Sequence, residues 1–162
     1  MQLRPLLESD WPAVRAIYLA GLESQLPSYP PRFTDWRSWD RGHRPSLRLV
    51  AEDGGEVIGW AALTGVPDTG AEVNVYVAPA EQGRGVGGAL LRALVEAADA
   101  EGLSVIRASV FRRNEASIRL HARQGFRPVG VTEPEPGLAD RWLETVLLER
   151  YRPTGPRTGS NR

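Results

Sequence analysis

Glu72-Val73-Asn74-Val75-Tyr76-Val77, then Ala78-Pro79-Ala80-Glu81-Gln82, then Gly83-Arg84-Gly85-Val86-Gly87-Gly88 is the stretch that decides how this chain folds. Alternation in its first six residues sends Glu72, Asn74 and Tyr76 to one face and three valines to the other, the pattern of a strand with one apolar side. After the glycines, Leu90, Leu91, Leu94, Val95 and Ala98 recur at helical spacing, and Gly102 closes the pattern. The glycine run satisfies G-x-G-x-x-G, the spelling of a dinucleotide loop, but its context does not fit. Five residues separate Val77 from Gly83, whereas a dinucleotide loop follows its strand almost directly and needs an acidic ribose ligand about 20 residues on. Ser104-Val105-Ile106-Arg107-Ala108-Ser109-Val110 holds no acid. The physical content of the loop remains: glycines bring several backbone N–H groups to the start of a helix whose dipole favours anions. A pyrophosphate fits such a turn, with Arg84 either a charge-assisted contact or a solvated side chain.

Outward from this core the chain reads as one domain. Residues 2–6 suit a short strand, Ser9-Asp10 a cap, and Trp11-Pro12 the start of a helix carrying Val14, Ile17, Tyr18 and Leu22 and ending near Glu23. Residues 24–32 contain three prolines and read as irregular; Thr34 or Asp35 then caps a short helix with Trp36 and Trp39 on one face, stopped by Gly42. Residues 47–52 and 56–63 around Asp53-Gly54-Gly55 form a hairpin signal. A loop with Pro67 and Gly70 leads to Glu72. Downstream, residues 104–110 read as a buried strand, Asn114 opens a helix with Ile118, Leu120 and His121 before Gly125, and residues 126–131 and 142–148 supply the last strands. Residues 152–162 have the composition of a disordered tail. The sum is an α+β domain over residues 1–151 with about seven strands, a hairpin preceding a strand-loop-helix-strand-helix-strand run, and no internal repeat.

Composition narrows the chemistry. Among 162 residues, 20 acidic side chains balance 20 basic ones, and every basic one is arginine. With neither lysine nor cysteine in the chain, a lysine imine, a phosphate-loop lysine, a cysteine nucleophile, thiolate metal sites and disulfides are all excluded. The missing lysine is explained first by a GC-rich genome that favours arginine codons. Zero net charge argues against a nucleic-acid or membrane-surface partner and for a small molecule. The N-terminus lacks a basic segment followed by an apolar one, and no run approaches 18 apolar residues, so the expectation is a soluble cytoplasmic protein without a metal.

Val75-Tyr76-Val77 followed by Gln82-Gly83-Arg84-Gly85-Val86-Gly87-Gly88 resembles the Q/R-x-x-G-x-G/A motif with which GNAT acyltransferases hold the pyrophosphate of acetyl-CoA. Asn114 to His121 followed by Gly125-Phe126 is similar to the second half of the same cofactor site. The resemblance runs from about Leu3 to Tyr151 and implies the GNAT fold: a mixed, largely antiparallel sheet of about seven strands flanked by about four helices. Within the superfamily the chain looks most like the phosphinothricin and methionine sulfone or sulfoximine acetyltransferase branch, through Glu23, Glu72, His121 and Arg141-Trp142-Leu143-Glu144. That branch usually carries a longer aromatic- and arginine-bearing segment where this chain has only Thr64-Gly65-Val66-Pro67-Asp68-Thr69-Gly70.

The resemblance implies direct transfer of the acetyl group from acetyl-CoA to the primary amine of an amino acid or analogue, by a homodimer. Such a reaction needs a neutral nucleophile, a polarised carbonyl and a proton for the thiolate. Glu72 is the expected general base, acting through water, or equally a surface carboxylate. His121 stands where many relatives place a tyrosine acid, or packs as a helix histidine beneath the cofactor. Glu23 and Trp142 are expected at the acceptor amine, with a solvated helix end and a core tryptophan as the plainer readings. Cofactor contacts fall on Val75, Tyr76 and Val77 through the backbone, on Gln82 to Gly88, on Asn114 as amide donor or helix cap, and on Ser117. Trp36, Trp39 and Trp60 read as core, and His43 as an exposed loop residue. A protein N-terminus, polyamine or drug-like amine is the alternative acceptor, kept open by the short loop, and a non-catalytic acyl-CoA sensor is the alternative to an enzyme.

Overall fold

Asp53-Gly54-Gly55 turns the hairpin that the alternating residues on either side require, and the rest of the sheet is built onto it. The computed structural model describes residues 1–25, 30–65, 71–132 and 144–154. In chain order the elements are β1 (Gln2–Pro5), a 3-10 turn (Glu8–Asp10), α1 (Trp11–Gln25), α2 (Trp36–Gly42), β2 (His43–Asp53), β3 (Glu56–Thr64) and β4 (Ala71–Val77). A second 3-10 turn (Pro79–Glu81), α3 (Val86–Ala100), β5 (Val105–Phe111), α4 (Glu115–Ala122), β6 (Arg127–Thr132) and β7 (Thr145–Tyr151) follow. The strands form one seven-stranded sheet in the order β1-β2-β3-β4-β5-β7-β6. Every adjacent pair is antiparallel except β4 with β5. The expected mixed, largely antiparallel sheet with four α-helices is therefore the observed architecture.

Each sheet face carries its own core. On one, Leu90, Leu91, Leu94 and Ala98 of α3 pack against Ala61, Leu63, Val73, Ile106 and Ala108, which the strand period sends to that side. On the other, Val14, Ile17 and Tyr18 of α1 and Trp39 of α2 cover Val50, Trp60 and Ala62. The Trp60 indole fixes α1 by donating to Val14 O at 3.1 Å. Trp39 and Trp60 are core residues, as expected, and Asp35 caps α2 by accepting the Ser38 N–H at 2.7 Å. Asp10 does not cap α1: its carboxylate accepts the Leu7 N–H and two donors of Arg4, all at 2.8 Å.

Three expectations change. His43 is not exposed: only 3% of it reaches solvent, its ring stacks on Trp39 at 4.2 Å, and Nδ1 lies 2.7 Å from Trp39 O. The reason is that β2 begins four residues earlier than the hairpin signal, at His43, which tucks the ring under α2. The final strand, described over Thr145–Tyr151, runs on past the expected end at 148; Arg141, Trp142 and Leu143 lie outside the described residues, and so do residues 155–162 of the expected tail. Arg152, placed in that tail, donates its N–H to Ser104 O at 2.9 Å.

Two buried arginines lock element ends. Arg48 donates to Asp40 Oδ1 at 2.6 Å and to His43 O at 2.9 Å, its guanidinium 5.2 Å above the Trp39 ring. Arg150 of β7 pairs with both oxygens of Asp99 at 2.8 Å and with Gln124 O at 3.0 Å, joining β7 to the ends of α3 and α4.

Burial pushes the His43 imidazole down from 6.5 to about 4, against the opposing pull of its hydrogen bond to Trp39 O. Burial moves His121 in the same direction. Below pH 6.5 the unfolded chain takes up a proton at His43 that the folded chain refuses until about pH 4, so stability falls across that window as pH drops. The expected outcome is a falling urea midpoint between about pH 7 and about pH 4.5, His43 contributing on the order of 3 kcal/mol. His43→Phe, which takes up no proton there, shows a correspondingly smaller loss relative to its own value at neutral pH.

Candidate functional site

β4 and β5 pair only at Ala71↔Ile106 and Glu72↔Arg107 and then part. β4 remains in register with β3 from Val73 to Val77, so only its other edge is released. Glu72 N donates to Thr64 Oγ1 at 2.9 Å and Ala78 N to Ile58 O at 2.9 Å, both on the β3 side. By alternation, Asn74 and Tyr76 share that direction, while Val75 and Val77, beyond the last β4–β5 pair, turn their N–H and C=O groups toward the gap. A strand edge of unpaired donors and acceptors thus lines the opening.

The gap widens into a cleft of about 500 Å³. Val75, Tyr76 and Val77 form one wall, Gln82, Gly83 and Gly85 to Gly88 the floor, Asn114, Ser117, Leu120 and Arg123 of the α4 region the other wall. Gly85 caps α3 with φ of 83°, a left-handed conformation that a side chain disfavours. The first intrahelical bond of α3 is Ala89 N to Gly85 O, at 3.0 Å. The N–H groups of Val86, Gly87 and Gly88 therefore have no intrahelical acceptor, and no side chain caps them. Gly87 permits close approach: a Cβ there would lie 2.9 Å from Leu120 Cδ1 and 3.4 Å from Val77 Cγ2. The cleft floor is a built anion cradle formed by backbone alone.

The structure separates the expected site residues into groups. Val75, Tyr76, Val77, Gln82, Gly83, Gly85, Val86, Gly87, Gly88, Asn114 and Ser117 all line the cleft. Arg84 does not: it is 60% exposed and pairs with Glu81, which does line it. Asn114 combines both readings, since Oδ1 caps α4 through the Ser117 N–H at 3.1 Å while the residue stands on the cleft wall. Tyr76 is wedged between Trp60, stacked at 5.0 Å, and Tyr18, edge-on at 5.3 Å. Burial and the neighbouring Tyr18 and Glu72 raise the Tyr76 phenol well above its usual pKa, so it is neutral at physiological pH. Glu72 is half-buried at the apex where the strands part, on the face shared with Asn74 and Tyr76. His121 is buried off the cleft wall, edge-on to Phe126 at 5.2 Å, with Nδ1 2.8 Å from Ser117 O and 3.4 Å from the Ser117 hydroxyl. Glu23 is exposed on α1, next to Ser24 and Gln25, which do reach the cleft. Trp142 lies outside the described residues.

Sequence reasoning missed Gly21, Ser24 and Gln25 at the end of α1, and Ala116, Arg119 and Arg123 on α4. The α4 set carries a signal: residues 116, 119, 120 and 123 follow the i, i+3, i+4, i+7 spacing of one helix face, and two are arginines. Nothing in the sequence singles out the α1 set, which reaches the cleft because α1 crosses over Tyr76.

Known proteins share this fold. Residues 3–126 match the Acetyltransferase (GNAT) family. The chain is 35% identical to phosphinothricin N-acetyltransferase of Streptomyces coelicolor, over 93% of this chain and 95% of that one. It is 33% identical to the L-methionine sulfoximine/L-methionine sulfone acetyltransferase of Pseudomonas aeruginosa, over 87% and 88%. The crystal structure of a GNAT superfamily phosphinothricin acetyltransferase from Sinorhizobium meliloti, in complex with AcCoA, superposes with a TM-score of 0.72 and 27% identity, covering 98% of this chain and 91% of that one.

The double duty of Asn114 predicts a separable outcome. Asn114→Ala should cost about 1 kcal/mol in urea unfolding by removing the α4 cap. Asn114→Asp, which caps equally well, should keep that stability while weakening the binding of a phosphorylated ligand.

Proposed function

The chain belongs to the GNAT acetyltransferase family, and on that premise we propose that it moves the acetyl group of acetyl-CoA directly to the primary amine of a small amino acid or analogue, of the phosphinothricin or methionine sulfone type. The observation that carries this is a single cleft containing both a strand edge without a β5 partner at Val75 to Val77 and an uncapped helix start at Val86 to Gly88. The first suits the amide-bearing pantetheine arm, which pairs as an added strand. The second suits the pyrophosphate, held by N–H groups and the helix dipole in a chain without lysine. Arg119, paired with Glu115 at 3.3 Å, and Arg123 bring positive charge to the opposite wall.

Acetyl-CoA, when bound, supplies a thioester as acetyl donor. The residues of the chain do the rest. An N–H from Val75 or Val77 polarises the thioester oxygen, an interaction of the kind whose removal costs about 100- to 1000-fold elsewhere. Glu72 takes the amine proton through water, leaving the nitrogen lone pair free to attack. His121 is the candidate proton source for the thiolate, reaching the cleft through the Ser117 hydroxyl 3.4 Å from Nδ1. A simple thiol has a pKa of about 8.5, so its thiolate needs only modest help; His121 can give up a proton only as the imidazolium, which its burial disfavours, and water is the other proton source. Glu23 and Trp142 flank the acceptor in this reading. Without a cysteine to carry the acetyl group, transfer is direct rather than ping-pong.

The same proposal includes a cytoplasmic homodimer. β6 supports the dimer: it is an edge strand exposed along almost its whole length, with Val129 and Val131 each 54% exposed. Light scattering should then return twice the chain mass of 17.8 kDa.

Thiol release over a panel of amines tests the activity, with methionine sulfone and phosphinothricin expected to react and short peptides not. Acetyl-CoA should raise the melting temperature of the wild type, and Gly85→Glu should abolish that shift by setting a carboxylate in the cradle. Glu72→Gln should lower kcat/KM by about 100-fold or more and change the pH–rate profile; an unchanged rate and profile would remove Glu72 from the base role.

A further inference from the structure

Beyond the cleft a second cavity, of about 440 Å³, opens between α3, the end of α4 and the end of β7. Arg92 and Glu96 of α3, Arg123 and Gln124 after α4, and Arg150 and Tyr151 of β7 line it. Arg123 and Gln124 also line the cleft, so the two openings share a wall. Two of the polar side chains are already committed. Arg150 is spent on both oxygens of Asp99 and on Gln124 O, and the Tyr151 hydroxyl donates to Glu149 at 2.8 Å. Among the described residues the guanidinium groups of Arg92 and Arg123 have no hydrogen-bond or ion-pair partner, and neither has the Glu96 carboxylate. The uncommitted charges on the wall are therefore two cations and one anion, an excess that favours a negative ligand.

The cavity continues the anion cradle. Residues four apart share a helix face, and Arg92 follows Gly88 on α3 as Arg123 follows Arg119 on α4. Gly88 and Arg119 line the cleft, whereas Arg92 and Arg123 line the cavity. Both helices thus lead from one opening to the next over a single turn, about 6 Å of axis. The step along α3 is unobstructed, since a Cβ at Gly88 would meet no atom within 4 Å. Arg84, nearest the glycine turn in sequence, pairs with Glu81 and lines neither opening, and Arg119 pairs with Glu115. Arg92 and Arg123 are the cations left over.

We propose that this second cavity takes the 3′-phosphate on the ribose of acetyl-CoA, held between the guanidinium groups of Arg92 and Arg123. The proposal rests on the acetyl-transfer reading above. A pyrophosphate has two ends. With the pantetheine arm leaving the cradle along the β4 edge, the adenosine end leaves on the other side, where α3 and α4 lead to the cavity. A phosphate monoester carries close to two negative charges at neutral pH, and a guanidinium offers paired N–H donors to its oxygens. The chain therefore selects CoA over dephospho-CoA, which lacks that group.

Calorimetric titration with CoA and with dephospho-CoA, which differ only in the 3′-phosphate, tests this. The wild type should bind dephospho-CoA at least about tenfold more weakly, the loss expected for charge-assisted contacts. Arg92→Gln should weaken CoA by about fivefold while leaving the dephospho-CoA Kd within about twofold. Adding Arg123→Gln should bring the two Kd values within about twofold of each other. Both arginines are exposed and belong to neither core, so the urea midpoint should not move and misfolding is kept apart from lost binding. Wild-type Kd values within about twofold for the two ligands overturn the proposal, as does a double variant that keeps the wild-type ratio. If neither ligand binds, the acetyl-transfer reading falls together with this one; if both bind alike, only this one falls.

Discussion

The parting of β4 from β5 after Glu72 is the constraint on which the rest of this structure depends. A continuous ladder would satisfy every backbone group of Val73 to Val77 internally and leave nothing to bind. Because pairing stops after two positions, that edge keeps its donors and acceptors, and backbone groups away from water require partners. Within the described chain only the Gln82 side chain approaches, 3.4 Å from Val77 O. β4 does not fray in consequence, since β3 holds its opposite edge over five register pairs. The cleft is thus rigid on one side and unsatisfied on the other, which is what preorganised binding needs.

Anion recognition follows from the same geometry without lysine. The loop from Val77 must turn back to start α3 beneath the opened strand, and Gly85 supplies the left-handed residue at that start. Three N–H groups are left aimed at the cleft. Arg84 leans on Glu81 rather than on the cleft, so the carboxylate that lines the site has a cation beside it. Arg119, paired with Glu115 at 3.3 Å, and Arg123 stand on the opposite wall, so the cleft joins backbone N–H groups on one side to guanidinium groups on the other.

The other sheet face works differently. Its core is aromatic, with Trp39, Trp60, Tyr18 and Tyr76 in edge and stacked contacts, and two polar groups are buried in it, Arg48 and His43. Each is kept there by defined partners, Arg48 by Asp40 and His43 by Trp39 O and Asn74. Buried polar networks of this kind orient what they touch. Here one group they orient is the Asn74 side chain of β4, so the packing of α2 reaches a strand with which it shares no sequence proximity.

Much of this was legible in the residues themselves. The period-two alternation of β4, the glycine turn and the apolar face of α3 depend on contacts within about ten residues, and they brought out the residues from Val75 to Gly88 that line the cleft, Arg84 apart. Asn114 and Ser117 could be added because capping is also local. What the sequence could not show depended on distant segments meeting. His43 looked like a loop residue because its burial comes from Trp39 stacking over it and from an irregular β2 register. Arg119 and Arg123 became cleft residues only once α4 lay across the opening, and Gly21, Ser24 and Gln25 only once α1 crossed Tyr76. By itself the sequence determined most of the elements, the absence of lysine and cysteine chemistry, and the glycine turn that starts α3. Only the tertiary structure decided that β4 and β5 separate and which side chains face the gap, because strand pairing and helix crossing are set by packing between residues far apart in the chain.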